Sequence, residues 1–406
     1  MNEEEMLKEV AYCLKCKNAR CQAACPVHTD VAKVMTFLQE GNKEEAQENL
    51  FNNNPLSAIC AIVCPHESQC YGHCVRGIKG EPVKFYQVEQ LISEEYLFNH
   101  QFKKKADKKS TIAIVGGGSA GIASALWLAL EGYKITIFDN HPLLGGVLRY
   151  GIPDYRLERK LIDRYQEILL NLGVHFKPNC LVGPVLNLDN LKEDYDAVIL
   201  ALGCGTSKKL GIKGESLGNV YYALDYLKDP DKFNLGKHVI VLGAGNVAMD
   251  AVRTAQRSGY NSEIYYRKDR ERMKANNNEI VEAEKEGIKF NYFEVPEEFT
   301  PEGIWFSKGE NVLVNDQIKT VTVKDTKHFV KCDSAIIAVS QNIQTDALVG
   351  YSQLQDQWGS IKIDDVGHTS IAGIYAAGDA VTGAKTVVSA VATARNVIEA
   401  IIKELP

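Results

Sequence analysis

The stretch Thr111-Ile-Ala-Ile-Val-Gly-Gly-Gly-Ser-Ala-Gly121 reads as an apolar strand running into a glycine turn that opens a helix. Gly116, Gly118 and Gly121 have the G-x-G-x-x-G spacing. In that pattern the first glycine permits a tight turn, the second lets backbone amides approach a pyrophosphate, and the third lets the helix pack on the strand. A phosphate at the helix N-terminus would meet free N–H groups and a favourable dipole. An apolar helix, Ala120–Glu131, and a second strand, Lys134–Phe138, are expected to follow. The second strand ends at Asp139, where an acid can bind a ribose hydroxyl.

A second turn of the same kind follows strand Lys237–Leu242. Gly243, Gly245 and Ala248 carry the spacing, with Asn246 and Val247 between them. Its second strand ends in Tyr266-Arg267-Lys268, basic where the first fold has an acid. Arginine and lysine pair with a 2′-phosphate that a carboxylate would repel, and Arg272 could add to the pocket. The bland alternative is a pair of solvated loop charges. The segment Lys289–Val330 reads as strands, and residues 341–406 are expected to rejoin the first nucleotide fold.

With 406 residues, 45% hydrophobic and 24% charged, the chain should hold two or three domains of an ordinary globular protein. A net charge of −6 argues against a nucleic-acid partner. The acidic N-terminus is no signal peptide and no apolar run is long enough to span a bilayer, so a cytosolic location is expected.

Eight of the 11 cysteines fall between residues 13 and 74. They form the runs Cys13-x2-Cys16-x4-Cys21-x3-Cys25-Pro26 and Cys60-x3-Cys64-Pro65-x4-Cys70-x3-Cys74. In a reducing compartment this density points to metal rather than disulfides. Zinc ribbons usually use two short pairs, whereas four close cysteines ending in Cys-Pro match ferredoxin-like spacing, which favours two iron–sulfur clusters. The surrounding helices, expected near 29–41, 43–51 and after Pro82, are too short to fold without such a staple. Cys60 could simply be buried, and Cys180, Cys204 and Cys332 read as small buried hydrophobes. The run 102–109 reads as a solvated basic linker. The expected fold is therefore α/β: two Rossmann-like dinucleotide-binding domains preceded by an α-helical iron–sulfur domain. The expected bounds are 1–105 for the helical domain, 106–223 with 341–406 for the first nucleotide domain, and 224–340 for the second.

With both cysteine runs and both glycine turns considered, the chain resembles the small (β) subunit of glutamate synthase. It is more similar still to the N-terminal half of dihydropyrimidine dehydrogenase and its separate bacterial, PreT-type, subunit. The resemblance rests on Cys13-Leu-Lys-Cys16 through Cys25-Pro-Val-His28, Asn54-Pro-Leu56 to Cys64-Pro65, Gly145-Gly146, Ile152-Pro153 with Arg156-Leu157, and Gly378-Asp379. It implies one [4Fe-4S] cluster on Cys13, Cys16, Cys21 and Cys74. A second would sit on Cys25, Cys64, Cys70 and a non-cysteine ligand seven residues after Pro82, which is Glu89; the shorter loop after Cys74 makes Gln90 a rival. It also places FAD on the first fold, held by Gly116, Gly118, Gly121 and Asp139. Gly146, Val147 and Arg156 would lie on the flavin side, and Gly378, Asp379, Thr386 and Val387 would close over it. Arg156 could instead be a surface ion pair. For the second fold the resemblance implies NADPH, with NADH possible because PreT-type subunits often use it. The implied activity is electron input from NADPH through FAD and two clusters to a partner, a pyrimidine-reducing flavin subunit or the glutamate synthase large subunit. A stand-alone reductase is the third option. Hydride transfer at flavin N5 requires no catalytic acid, base or nucleophile from the protein.

Overall fold

Strand Thr111–Val115 lies at the centre of a five-stranded, all-parallel sheet in the computed structural model, which describes residues 1–315 and 317–406. The strand order is Ile374–Ala376, Ala197–Leu200, Thr111–Val115, Lys134–Phe138, His175–Lys177. Ile112, Ala113 and Ile114 are fully buried. A strand covered on both faces reads as an unbroken apolar run rather than an alternation. The last strand in sequence, Ile374–Ala376, pairs with Ala197–Leu200, so the C-terminal segment completes the first sheet. The helix Val387–Glu404 packs against the helix Ser119–Leu130 that follows the glycine turn.

The chain divides into two units. One comprises Met1–Arg149, Asp154–Gly205 and Ile343–Pro406; the other comprises Tyr150–Pro153 and Thr206–Asn342. The helical N-terminal segment thus shares a unit with the first nucleotide fold. Its main helices are Glu3–Tyr12, Val31–Gln39, Lys43–Asn53, Ser57–Val63 and Phe85–Asn99. Asp30 caps the second by accepting from the Lys33 amide at 3.1 Å. Val31, Val34, Met35, Leu38, Val88 and Ile92 form a core against which Cys13, Cys21, Cys70 and Cys74 pack. The first helix is absent from the sequence-based expectation because only Met6 and Val10 of it are buried. A reciprocal cap between Asn2 and Glu5 sets its start.

The basic run 102–109 is docked rather than free. Lys105 and Lys108 amides donate to the Leu130 and Gly132 carbonyls at 2.8 and 2.9 Å. A β-carbon on Gly132, at φ +93°, would lie 2.2 Å from the Ala106 carbonyl oxygen.

The second unit has a parallel sheet in the order Val220–Tyr222, Ser334–Ile337, His238–Leu242, Asn261–Tyr266, Lys289–Tyr292. An antiparallel sheet built on Gly303–Val314 adjoins it in sequence, where β-forming residues predicted strands. Among the described residues no helix is long and apolar enough to cross a membrane.

At the C-terminus His368 bonds Asp364 through Nδ1 and Glu404 through Nε2, both at 2.8 Å, and Glu404 accepts from Tyr375. The bond to Asp364 raises the His368 pKa most, burial opposes it, and the bond to Glu404 adds to the rise. A raised histidine pKa gives stability that is full below the unfolded value of about 6.5 and lost as pH rises through the folded value. Exposure limits the gain to about 0.5 kcal/mol. His368→Gln should therefore lower urea-unfolding stability at pH 5.5 and leave it unchanged at pH 8.5; equal losses at both would refute the ion-pair account.

Candidate functional site

In the first fold each glycine has its own steric reason. Gly116 has φ +109°, and a β-carbon there would meet the Ala201 carbonyl oxygen at 2.3 Å. A β-carbon on Gly121 would lie 1.9 Å from the Gly116 oxygen. At Gly118 the nearest atom is Gly146 Cα, 3.8 Å away. That glycine leaves the helix N-terminus open, as phosphate approach requires. Asp139 is buried, and its carboxylate braces the turn. Oδ2 accepts from the Gly117 amide at 2.6 Å and Oδ1 from the His141 amide at 2.8 Å. Oδ1 also lies 3.0 Å from His141 Nδ1, so Oδ2 is the oxygen that keeps a lone pair for a ribose hydroxyl. The Gly145 amide donates to Gly117 O at 2.8 Å, which brings Gly146 beside Gly118. Arg149, buried and unnoticed in the sequence, holds that loop by donating from Nε to Leu144 O at 2.7 Å. Val147 is exposed and Arg156 half-buried.

Gly378 and Asp379 lie over the same helix start: a β-carbon on Gly378 would be 2.9 Å from Ala120 Cβ. The Gly378 amide is held by Thr393 Oγ1 at 2.8 Å. Burial pushes the Asp379 carboxyl up to about 6, partly offset by the Lys385 amide. Thr386 caps the final helix, placing Val387 at its first turn. Cys204 is half-buried, not buried as expected, and its thiol donates to the Asp379 carbonyl at 3.4 Å. Cys180 is also half-buried, whereas Cys332 is buried.

In the second unit Gly243, at φ +140°, faces the Ala338 oxygen, where a β-carbon would sit 2.3 Å away. Gly245 opens the helix Asn246–Arg257, which also carries Val247 and the buried Ala248. Asn246 Oδ1 accepts from the Asn276 amide at 2.8 Å. Arg267 is exposed and Lys268 half-buried. Desolvation, then repulsion from Arg267, Arg272 and Lys274, lowers the Lys268 pKa. This mutual repulsion reflects a local excess of positive charge around Lys268. Asp269 and Asn311 fix the Arg272 guanidinium, and its Nη1 is buried with no hydrogen-bond partner among the described residues.

The cysteines line two cavities. The first is bounded by Cys13, Cys16, Cys21, Cys70 and Cys74. The second is bounded by Cys25, Cys60, Cys64, Cys70 and Glu89, with Val388 of the final helix. Among the described residues no group of three or more His, Cys, Asp or Glu side chains converges as a single metal ion requires. Thiols spread around a cavity suit a cluster that spans it. Burial drives the Cys13 and Cys25 thiols upward and Cys21 up to about 11; a hydrogen bond with Cys60, then burial, raises Cys64. Coordination reverses that preference by deprotonating the thiols. Burial alone pushes the Glu89 carboxyl up to about 8. Gln90 instead donates to Glu94 at 2.8 Å. Cys60 is buried beside Cys64, within the second cavity.

Two connections here were invisible in the sequence. Val388 brings the start of the final helix to the second cavity. Arg395, about two turns further along the same helix, donates to Val27 O at 3.2 Å and Asn53 Oδ1 at 3.0 Å and lies over the Trp127 ring.

The pattern of the pyridine nucleotide-disulphide oxidoreductase family matches residues 110–394, and that of dihydropyrimidine dehydrogenase domain II, 4Fe-4S cluster, matches residues 1–101. The chain is 32% identical to the glutamate synthase [NADPH] small chain of Escherichia coli (strain K12), over 97% of this chain and 90% of that one. It is 30% identical to the NAD-dependent dihydropyrimidine dehydrogenase subunit PreT of Salmonella typhimurium, over 97% and 93%. It is 32% identical to the putative oxidoreductase AegA of Escherichia coli over 98% of its length, but spans only 65% of that protein. The fold is similar to that of Mycobacterium tuberculosis FprA, with a TM-score of 0.63 at 17% identity over 73% of this chain and 84% of that one. The chain thus belongs to the pyridine nucleotide-disulphide oxidoreductase family, as an NAD(P)H-dependent flavin oxidoreductase with a 4Fe-4S domain of the kind found in glutamate synthase small chains and PreT-type subunits.

Proposed function

We propose that the chain is an electron-input subunit that takes electrons from NADPH and delivers them through FAD and two [4Fe-4S] clusters to a partner subunit. FAD, when bound, accepts a hydride from the nicotinamide and releases single electrons, and the clusters carry them one at a time. In this reading residues 1–105 hold the clusters, and the sequence-based bounds of 106–223 with 341–406 for FAD and 224–340 for NADPH shift so that 206–223, whose strand Val220–Tyr222 pairs into the second sheet, goes with NADPH. Gly116, Gly118 and Gly121 seat the flavin pyrophosphate, Asp139 the ribose, and Arg267, Lys268 and Arg272 the 2′-phosphate. Gly146, Val147, Arg156, Gly378, Asp379, Thr386 and Val387 surround the flavin, and Gly243, Gly245, Asn246 and Val247 the second pyrophosphate.

The observation that carries the proposal is Val388. It lines the second thiol cavity one residue after Val387, at the start of the helix that also closes the flavin fold. The second cavity is therefore the inner one, and the first, which no residue of the nucleotide folds lines, is the outer one. Rapid mixing of anaerobic protein with NADPH should bleach the flavin before reduced-cluster EPR signals grow; signals that never grow would refute the relay.

Glu89 is assigned as the fourth ligand of the inner cluster. It is the carboxylate in that cavity, while Gln90 is engaged elsewhere. Glu89→Ala should change the EPR spectrum of one cluster and make it iron-deficient. Retention of about eight irons per chain with an unchanged spectrum would remove this assignment.

The acceptor most in keeping with the cysteine-region resemblance is a flavin subunit that reduces uracil or thymine, since PreT carries dihydropyrimidine dehydrogenase in its name and is covered almost end to end. The similarity to a glutamate synthase small chain, 32% against 30% for PreT, supports the glutamate-forming large subunit as a second reading. Co-purification of the native complex without oxygen decides between them.

A further inference from the structure

The two thiol cavities differ in charge. The outer one is lined by Lys15, Arg20 and Arg76 and by no carboxylate. The inner one has no lysine or arginine in its lining and one carboxylate, Glu89. Around the outer cavity, the chain between Cys13 and Cys21 adds Lys17, and that between Cys74 and Pro82 adds Lys79; neither loop holds an acid before Glu81. These cations gather on a chain whose net charge is −6. Lys17, Arg20 and Lys79 enter no ion pair among the described residues, and Arg76 is fixed by stacking on Tyr12, 4.3 Å from the ring centre, and by donating to Tyr12 O. Carboxylates stay at the edge: Glu9 accepts from the Lys84 amide, and Glu81 follows Gly80. Two apolar side chains stand out of the same loops, Leu14 at 51% and Ile78 at 64% exposure.

We propose that this mouth, with Lys15, Lys17, Arg20, Arg76 and Lys79 around Leu14 and Ile78, docks the acidic face of a one-electron carrier protein or subunit. The proposal rests on the reading that the outer cavity holds a cluster. An electron leaving that cluster needs a close partner, and weak electron-transfer contacts are small and steered by charge. A cluster on four thiolates is itself anionic, so without these cations it would repel an acidic partner. The apolar pair supplies the short-range contact once the partner has been steered in.

The test uses the cluster-loaded protein under argon with NADPH and two one-electron acceptors of opposite charge, acidic rubredoxin and basic cytochrome c. Lys17 and Lys79 do not line the cavity, so Lys17→Glu/Lys79→Glu should leave iron content and flavin bleaching unchanged. It should slow rubredoxin reduction about tenfold or more at low salt and speed that of cytochrome c. Rubredoxin reduction by the parent should fall as salt rises towards about 0.3 M. Equal rubredoxin rates and salt slopes in parent and variant would overturn the docking face. So would binding of the parent to phosphatidylserine vesicles without binding to rubredoxin. If NADPH reduces no cluster, the relay reading fails instead, and calorimetric affinity for rubredoxin in parent and variant still decides the docking face.

Discussion

Gly121→Ala is expected to destabilise the first unit by about 2 kcal/mol and to abolish flavin retention. Within a helix, alanine is ordinarily favoured over glycine by about 1 kcal/mol. Here the added β-carbon would lie 1.9 Å from the Gly116 carbonyl oxygen, with Ile114 Cγ2 at 3.4 Å. A backbone oxygen cannot swing aside as a side chain does, so the helix must lift from the strand, at a typical overpacking cost of about 1–3 kcal/mol. The lift also spoils the turn on which the pyrophosphate would rest. Gly118→Ala supplies the contrast. Its φ of −83° suits any residue, and nothing lies within 3.8 Å. That variant should melt with the parent yet bind FAD at least about tenfold more weakly, a loss of about 1.4 kcal/mol. Thermal melts and flavin content measured on both proteins separate the two roles. A Gly121→Ala protein that melts with the parent and keeps its flavin would refute the steric account.

Arg267→Ala/Lys268→Ala should reduce kcat/KM for NADPH about 100-fold and change that for NADH by less than about twofold, because two charge-assisted hydrogen bonds to the 2′-phosphate, each about 1.5 kcal/mol, would be lost. Three observations support this size. Lys268 sits among Arg267, Arg272 and Lys274, which repel it and lower its pKa. The nearest acid, Asp269, is already engaged by Arg272 and Asn311, so it leaves the cationic excess largely intact. Arg272 has a buried Nη1 without a partner among the described residues, the donor a phosphate would satisfy. Steady-state kinetics with both nucleotides check the outcome; an unchanged NADPH-to-NADH ratio would place the specificity elsewhere.

The parts legible in the sequence were those governed by local chemistry. Gly116 and Gly243 stand at positive φ beneath a carbonyl oxygen, a place only glycine fills without strain, and so the two turns show as patterns. The unbroken apolar run at 111–115 revealed a strand buried on both faces. The cysteine spacing revealed thiol-lined sites because each run is dense in thiols over a few turns, although each cavity draws on both runs. What the sequence hid depends on distant pairing. Arg395 meets Val27 and Asn53 across more than three hundred residues, and nothing near residue 395 signals those contacts. Val388 looks like any buried helix valine until the cavity it lines is seen. The helix Glu3–Tyr12 was hidden by its acidic face, and the run 102–109 by its lysines, although backbone bonds to Leu130 and Gly132 fix it in place.

For the relay to operate, a reduced pyridine nucleotide must be able to fill iron and sulfide in this chain with electrons. Protein purified without oxygen should contain about eight iron atoms and as many sulfides, with one FAD. On addition of NADPH its visible absorption should bleach across both the flavin and the broad cluster bands. Protein without iron, or a flavin that stays oxidised in the presence of both NADPH and NADH, would contradict it.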